Sequence, residues 1–187
     1  MRNGLLILFL VGTMMALSHA QEIAVPVNLQ YSLFSKVLPF DRNFRQRVDS
    51  VVTIGIIYQS KFRLSLDVKN EFVFAVNEAS GVPIANLPVR LVPMDIDNAD
   101  HVKIIDRAKV SFLYVAPIRA VDLSMITDIS RARGILTLTG VEEYVKSGIS
   151  VGIGTKGGKP QILINLAASK DEQADFSSQL LKLSKIF

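Results

Sequence analysis

The order of apolar and polar positions divides the chain into alternating helices and strands. Val27, Tyr31, Phe34 and Leu38 recur at helical spacing, with Asn28, Gln30, Ser32, Ser35 and Lys36 between them. This predicts an amphipathic helix over 27–38 that Pro39 ends, because proline has no N–H and restricts the residue before it. A polar and basic stretch, Asp41–Arg47, follows. Val51–Tyr58 is then apolar and β-branched almost throughout, as in a strand covered on both faces. Gln59 and Ser60 turn the chain, with Ser60 as the expected N-cap of a helix reaching about Ala79. Leu64, Val68, Phe72, Ala75 and Ala79 form its stripe, and Gly81 suits its stop.

Pro83 and Pro88 bracket a connector, and Val89–Val92 reads as a second strand. Asp95 to Asp100 opens a short helix to Ala108. Val110–Val115 is the third strand. A helix is predicted from Pro117, with Val121, Met125, Ile129 and Ala132 in register, Arg131 and Arg133 in its last turn, and Gly134 at its end. Ile135–Thr139 is the fourth strand, and Gly140–Gly148 a loop with a helical turn. Ser150–Gly154 and Gln161–Asn165 pair as a hairpin, and a closing helix carries Phe176, Leu180, Leu183 and Phe187 on one stripe. Such alternation predicts an α/β fold, a three-layer α/β/α sandwich on a mostly parallel sheet with a C-terminal β-hairpin and closing helix.

Gly152-x-Gly154-x-x-Gly157 spells a dinucleotide fingerprint, but its context removes that reading. The fingerprint needs a helix after the glycines to hold pyrophosphate. Here Gly158-Lys159-Pro160 leads into Gln161–Asn165, a strand, so the glycines belong to a hairpin turn. No cofactor is expected. The acids Asp95, Asp97, Asp100 and Asp106 fail the calcium-loop spacing and suit a helix start instead. His101 is the one histidine beyond residue 20, which excludes a two-histidine metal site; no nucleophile-elbow spelling accompanies it. Glu142-Glu143 is the nearest carboxylate pair and reads as a solvated loop pair.

In open α/β sheets ligands and partners gather at the carboxyl ends of the strands, near a switch in strand order. The candidates for such a cleft are Gln59 and Ser60 after the first strand, Pro117 and Arg119 after the third, and Thr139 and Gly140 after the fourth. Capping and turn duty is the competing role for each.

Composition adds location. Arg2, the apolar run Leu5–Leu17 and the small residues Ser18-His19-Ala20 form a three-part secretory signal, with cleavage expected after Ala20. The remaining 21–187 is expected to be a single domain. Losing Arg2 takes the net charge from +4 to +3. That excess is scattered rather than gathered into a block, which argues against nucleic-acid binding. The chain has no cysteine, so an exported fold of this length stands without disulfides.

Three stretches carry a family resemblance: Leu29–Asp41, Thr53–Tyr58, and the ending with Gly152–Gly158, Ile162–Ala168 and Ser178–Ser184. In these the chain resembles the YfiR/HmsC-like periplasmic proteins. The resemblance implies a compact α/β/α domain in the periplasm without enzymatic activity. It also implies a partner, an inner-membrane sensor such as a diguanylate cyclase or histidine kinase, that the protein binds and restrains. Through a cyclase it would lower cyclic-di-GMP output and biofilm formation. Some relatives carry disulfides; this chain has none, so control by that route is ruled out. A homodimer stays open, and a small-molecule binding module is the alternative reading.

Overall fold

The computed structural model describes residues 23–78, 83–97 and 100–187. The expected signal segment, Ala79 and Gly81 lie outside the described residues, as do Asn98 and Ala99 of the acidic stretch. The described residues build one seven-stranded sheet between two helical layers, ordered β2-β1-β3-β4-β5-β6-β7. In chain order its strands are β1 (Val52–Tyr58), β2 (Val89–Asp95), β3 (Phe112–Val115), β4 (Leu136–Thr139), β5 (Val151–Lys156), β6 (Lys159–Ile164) and β7 (Lys185–Ile186). The helices are α1 (Val27–Val37), α2 (Phe44–Arg47), α3 (Arg63–Glu78), α4 (His101–Ala108), α5 (Ser124–Arg133), α6 (Glu142–Lys146), α7 (Leu166–Asp171) and α8 (Ser178–Leu183). All neighbouring strands run parallel except the β5–β6 pair.

The period of two along each strand decides which layer a residue meets. Ile54, Ile56, Phe112, Tyr114, Leu136 and Leu138 join Tyr31, Phe34 and Phe72 in the core under α1 and α3. There the Phe72 ring stacks on Tyr114 with centroids 4.1 Å apart. Ile57, Leu113 and Val115 point the other way, into the core with Ile105 of α4 and Ile126 of α5. β1 is thus buried on both faces, as its unbroken apolar run requires.

The glycine fingerprint is a hairpin. Lys156 faces Lys159 across a two-residue turn, and Gly157 and Gly158 have φ of 57° and 76°. Two successive positive φ values define the tight turn that matches strand twist, and side chains resist them. Pro160 is tolerated in β6 because of direction. The Ile164 carbonyl accepts from Phe187 N on the outer side. By alternation the missing N–H of Pro160 would also have pointed away from β5.

Four boundaries differ from the sequence expectation; in the first, β2 runs on to Asp95, where a helix was expected to open, and that helix begins at His101. The helix after β1 begins at Arg63, so Ser60 is not its cap; its N–H instead donates to Asp95 Oδ1 at 3.2 Å. The helix expected from Pro117 begins at Ser124. Pro117 and Ile118 are buried in a loop, because Tyr144 Oη accepts from Ile118 N at 2.9 Å and donates to its carbonyl at 3.0 Å. The closing helix is split into α7 and α8 and followed by β7. Leu180 is buried as expected, but Leu183 is 69% exposed and Phe187 37%. The predicted stripe therefore seals the core only at Phe176 and Leu180.

Candidate functional site

The strand order reverses between β1 and β3. The chain leaves β1 for β2 on one side and returns to β3 on the other, which opens the switch point at the ends of β1 and β3. Gln59 stands there and ties three connections together. Its N–H donates to Ser65 Oγ at 2.9 Å, its amide Nε2 donates to Asp97 Oδ1 at 3.3 Å, and its Oε1 accepts from Arg119 N at 2.9 Å. The exposed Arg119 guanidinium lies 4.5 Å from the centroid of the Phe62 ring. Gln59, Ser60 and Arg119 thus share one rim.

Thr139 and Gly140 are both buried. Thr139 Oγ1 donates to the Val115 carbonyl at 2.9 Å and accepts from Val141 N at 3.1 Å, so its hydroxyl is used on both sides. Gly140 lets Gln30 approach; a Cβ there would lie 2.4 Å from the Gln30 amide. Gln30 accepts from Tyr114 Oη at 2.9 Å and donates to the Val25 carbonyl at 2.7 Å. Burial first, and then the charge of Glu71, raise the Tyr114 hydroxyl far above the ordinary tyrosine range. It therefore stays a hydrogen-bond donor.

Beside the rim, a hollow of about 470 Å³ lies between the loop after Ile118, α5 and α6. Its polar lining includes Asp122, Thr127, Asp128 and Arg131. Backbone and side-chain hydrogen bonds from Ser124 hold the Asp122 carboxyl below its ordinary value. Arg131 Nε stands 3.7 Å from Asp171 Oδ2 and makes no hydrogen bond.

Two further hollows, of about 240 and 390 Å³, open at the opposite, amino ends of the strands. Arg47, Arg90, Lys109 and Arg133 line them. Helix C-termini gather at this end, where cations suit the dipole. Arg90 Nη2 donates to the Ala108 carbonyl, and Arg47 donates to the carbonyls of Gly134 and Glu172. Arg133 forks onto Asp106 at 2.7 and 3.2 Å, and these bonds hold that carboxyl below its usual range. Arg47 and Arg90 are thus committed to carbonyls at helix ends and Arg133 to Asp106, while Lys109 stands exposed 4.0 Å from Asp49.

Two buried carboxyls were not marked by sequence pattern. Asp41 and Arg47, with side chains 0% and 6% exposed, pair at 2.8 Å inside the stretch expected to be a polar turn. Asp41 Oδ1 also accepts from the N–H of Asn43 and of Asp175, which latches this stretch to the C-terminal region. Glu172 is fully buried without a cation. Its carboxyl accepts from Ser130 Oγ at 2.6 Å, Thr137 N at 2.8 Å and Thr137 Oγ1 at 2.9 Å, and is bonded by Ser150 Oγ. Burial raises its pKa, and these four donors pull it only part of the way back. The sequence cue available was the set of hydroxyls, Thr137 above all, inside otherwise apolar segments. Among the described residues no group of three or more His, Asp or Glu side chains gathers as a metal site.

Solved structures share this architecture at low identity. A domain of an ABC protein in complex with L-Trp from Streptococcus pneumonia superposes with a TM-score of 0.58 at 15% identity, covering 87% of this chain and 60% of that one. A conserved domain protein from Vibrio cholerae O1 biovar El Tor gives 0.59 at 14% identity, with 86% and 60% covered. A ligand-free, open substrate binding protein with adhesive properties from Clostridium difficile gives 0.53 at 16%, with 87% and 60% covered. The chain thus spans about 60% of the length of each, and the likeness is one of fold. No curated protein matches the sequence. A protein-family model described as YfiR/HmsC-like matches residues 58–185, from the end of β1 to β7, and the chain belongs to that family.

Proposed function

We propose that this chain is a periplasmic, non-enzymatic regulator that binds and restrains an inner-membrane signalling partner. The partner class we assign is a diguanylate cyclase, so that binding lowers cyclic-di-GMP output and biofilm formation. Family membership supports the class of activity. One surface feature carries the reading: Phe74 stands 65% exposed on α3. It lines an open, mainly apolar hollow of about 490 Å³ with Pro26, Val27 and Asn28 at the start of α1. A large aromatic left bare beside a hollow is the form a protein-docking anchor takes, and aromatic anchors dominate binding energy. Phe74 contributes nothing to the core, so Phe74→Asp leaves folding intact and removes the anchor. In cells, photo-crosslinking from position 70 should trap a membrane protein with a periplasmic domain. Loss of that adduct in Phe74→Asp supports the reading; an adduct unaffected by the substitution counts against it.

A second reading is a small-molecule binding module. The polar hollow of Asp122, Asp128 and Arg131 beside the Gln59–Arg119 rim favours it. A thermal-shift screen of small polar metabolites tests it. A stabilising ligand whose effect disappears in Arg131→Ala would support this reading, and a screen without hits would remove it.

A further inference from the structure

The edge of the sheet at β6 and β7 combines bare apolar side chains with a surplus of lysine. Leu183, Ile186 and Phe187 are 69, 43 and 37% exposed within five residues of chain. Lys182 and Lys185 alternate with them, and Lys185 Nζ lies 4.7 Å from the Phe187 ring centroid. The hairpin tip adds Lys156 and Lys159, exposed on either side of the Gly157-Gly158 turn. β7 is in register with Leu163 and Ile164, so Lys159 lies about 13 Å along β6 from the row of Lys185. The acids of this edge are already engaged. Glu142 contacts Lys185 at 2.9 Å and Lys146 at 3.6 Å, and Glu143 contacts Lys146 at 2.7 Å. The hydrogen bond from Lys185 holds the Glu142 carboxyl below its ordinary range. Among the described residues, no carboxylate lies within ion-pair distance of Lys156, Lys159 or Lys182.

We propose that this edge rests on the surface of an anionic phospholipid bilayer. Leu183, Ile186 and Phe187 enter the headgroup region, and the lysines meet lipid phosphates. Apolar insertion and lysine attraction each bind weakly and act together. Burying bare hydrophobes among unpaired cations matches an anionic interface better than a second copy of this chain, whose lysines would meet their own kind. No described helix is long and apolar enough to cross a membrane. The contact would hold the protein in the plane of a membrane-bound partner and raise its effective concentration there. The inference does not depend on the identity of that partner.

Flotation of the chain lacking residues 1–20 with vesicles tests it. Vesicles containing phosphatidylglycerol should carry the protein at low salt and release it at high salt, whereas purely zwitterionic vesicles should not carry it. Lys156→Glu/Lys159→Glu should weaken partition about tenfold or more. Leu183→Ser/Phe187→Ser should weaken it while leaving its salt dependence in place. Unchanged thermal melts control for folding in both variants. Wild-type protein that stays unbound, or either variant floating like wild type, overturns the proposal. If wild type does not float but the variants lose partner regulation in cells, the edge belongs to a protein contact and the bilayer assignment falls.

Discussion

Replacing Glu172 by alanine would remove the acceptor for four donors in the buried space between α5, β4 and β5. Not all of them are stranded. Ser130 Oγ also reaches the Thr127 carbonyl at 3.0 Å and can turn to it. Thr137 Oγ1 keeps the bond it accepts from Ser150 N at 2.9 Å, but its own hydroxyl proton loses its acceptor. The Thr137 N–H, the Thr137 hydroxyl and the Ser150 hydroxyl each donate to Glu172. Three donors left without an acceptor, at about 1–3 kcal/mol each, with the vacated side-chain volume, give a loss of at least about 3–5 kcal/mol. A domain of this size holds about 5–15 kcal/mol in all, so Glu172→Ala should unfold far earlier in urea. Glu172→Gln keeps an acceptor oxygen and can donate its amide to a serine hydroxyl, so its cost should be near 1 kcal/mol at pH 5.

The same carboxyl sets a pH slope. Its folded pKa is raised above the ordinary glutamate value of 4.5. Below that value both states are protonated and the group's contribution is fully present. As pH climbs from the unfolded to the folded pKa, only the folded state holds the proton, and stability falls by about 1.4 kcal/mol per unit of pH. Glutamine cannot titrate, so urea melts from pH 4 to 8 should show wild type losing ground to Glu172→Gln as pH rises. Taking the difference cancels the opposite slopes of Asp100, Asp106 and Asp122, whose pKa values are lowered. A difference that is flat with pH, or an alanine variant within 1 kcal/mol of wild type, would refute the reasoning.

Asp41→Ala should cost about 3–5 kcal/mol by equilibrium unfolding, because it leaves the Arg47 guanidinium buried without its carboxylate. Arg47→Lys should not restore wild-type stability in the same assay, since a single ammonium cannot serve Asp41 and two carbonyls in a fork. Gly140→Ala should lower the melting temperature by an amount equivalent to about 1–3 kcal/mol, because the new methyl displaces the Gln30 amide. Tyr114→Phe should cost about 1–2 kcal/mol by leaving Gln30 Oε1 without its buried donor.

Elements whose pattern reports burial were legible in the chain, and elements fixed by distant partners were not. β1 could be read because six successive residues, Val52–Ile57, are buried across both faces and leave an almost unbroken apolar run. The hairpin could be read because two adjacent positive-φ positions demand glycine. The start of α5 was misplaced because Val121 continues the helical stripe, while the chain at Pro117-Ile118 is held in a loop by Tyr144, 26 residues away from Ile118. Leu183 and Phe187 kept helical spacing with Phe176 and Leu180, yet β7 forms where the helix would have continued. Asp41 and Glu172 look like surface charges in sequence. What buries them is a set of partners up to 134 residues distant for Asp41 and 42 for Glu172, which no local pattern encodes. At the carboxyl ends the strand count marked Gln59 and Arg119, which meet. It also marked Thr139, whose hydroxyl is used by Val115 and Val141, and Gly140, which Gln30 of α1 covers.

We propose that the Phe74 surface restrains a membrane cyclase. Intracellular cyclic-di-GMP, measured in the source organism with the gene deleted and then complemented, tests it most directly. Deletion should raise it, the wild-type chain should return it to the starting level, and Phe74→Asp exported to the same level should not. Cyclic-di-GMP unchanged by deletion, or restored in full by Phe74→Asp, would contradict it.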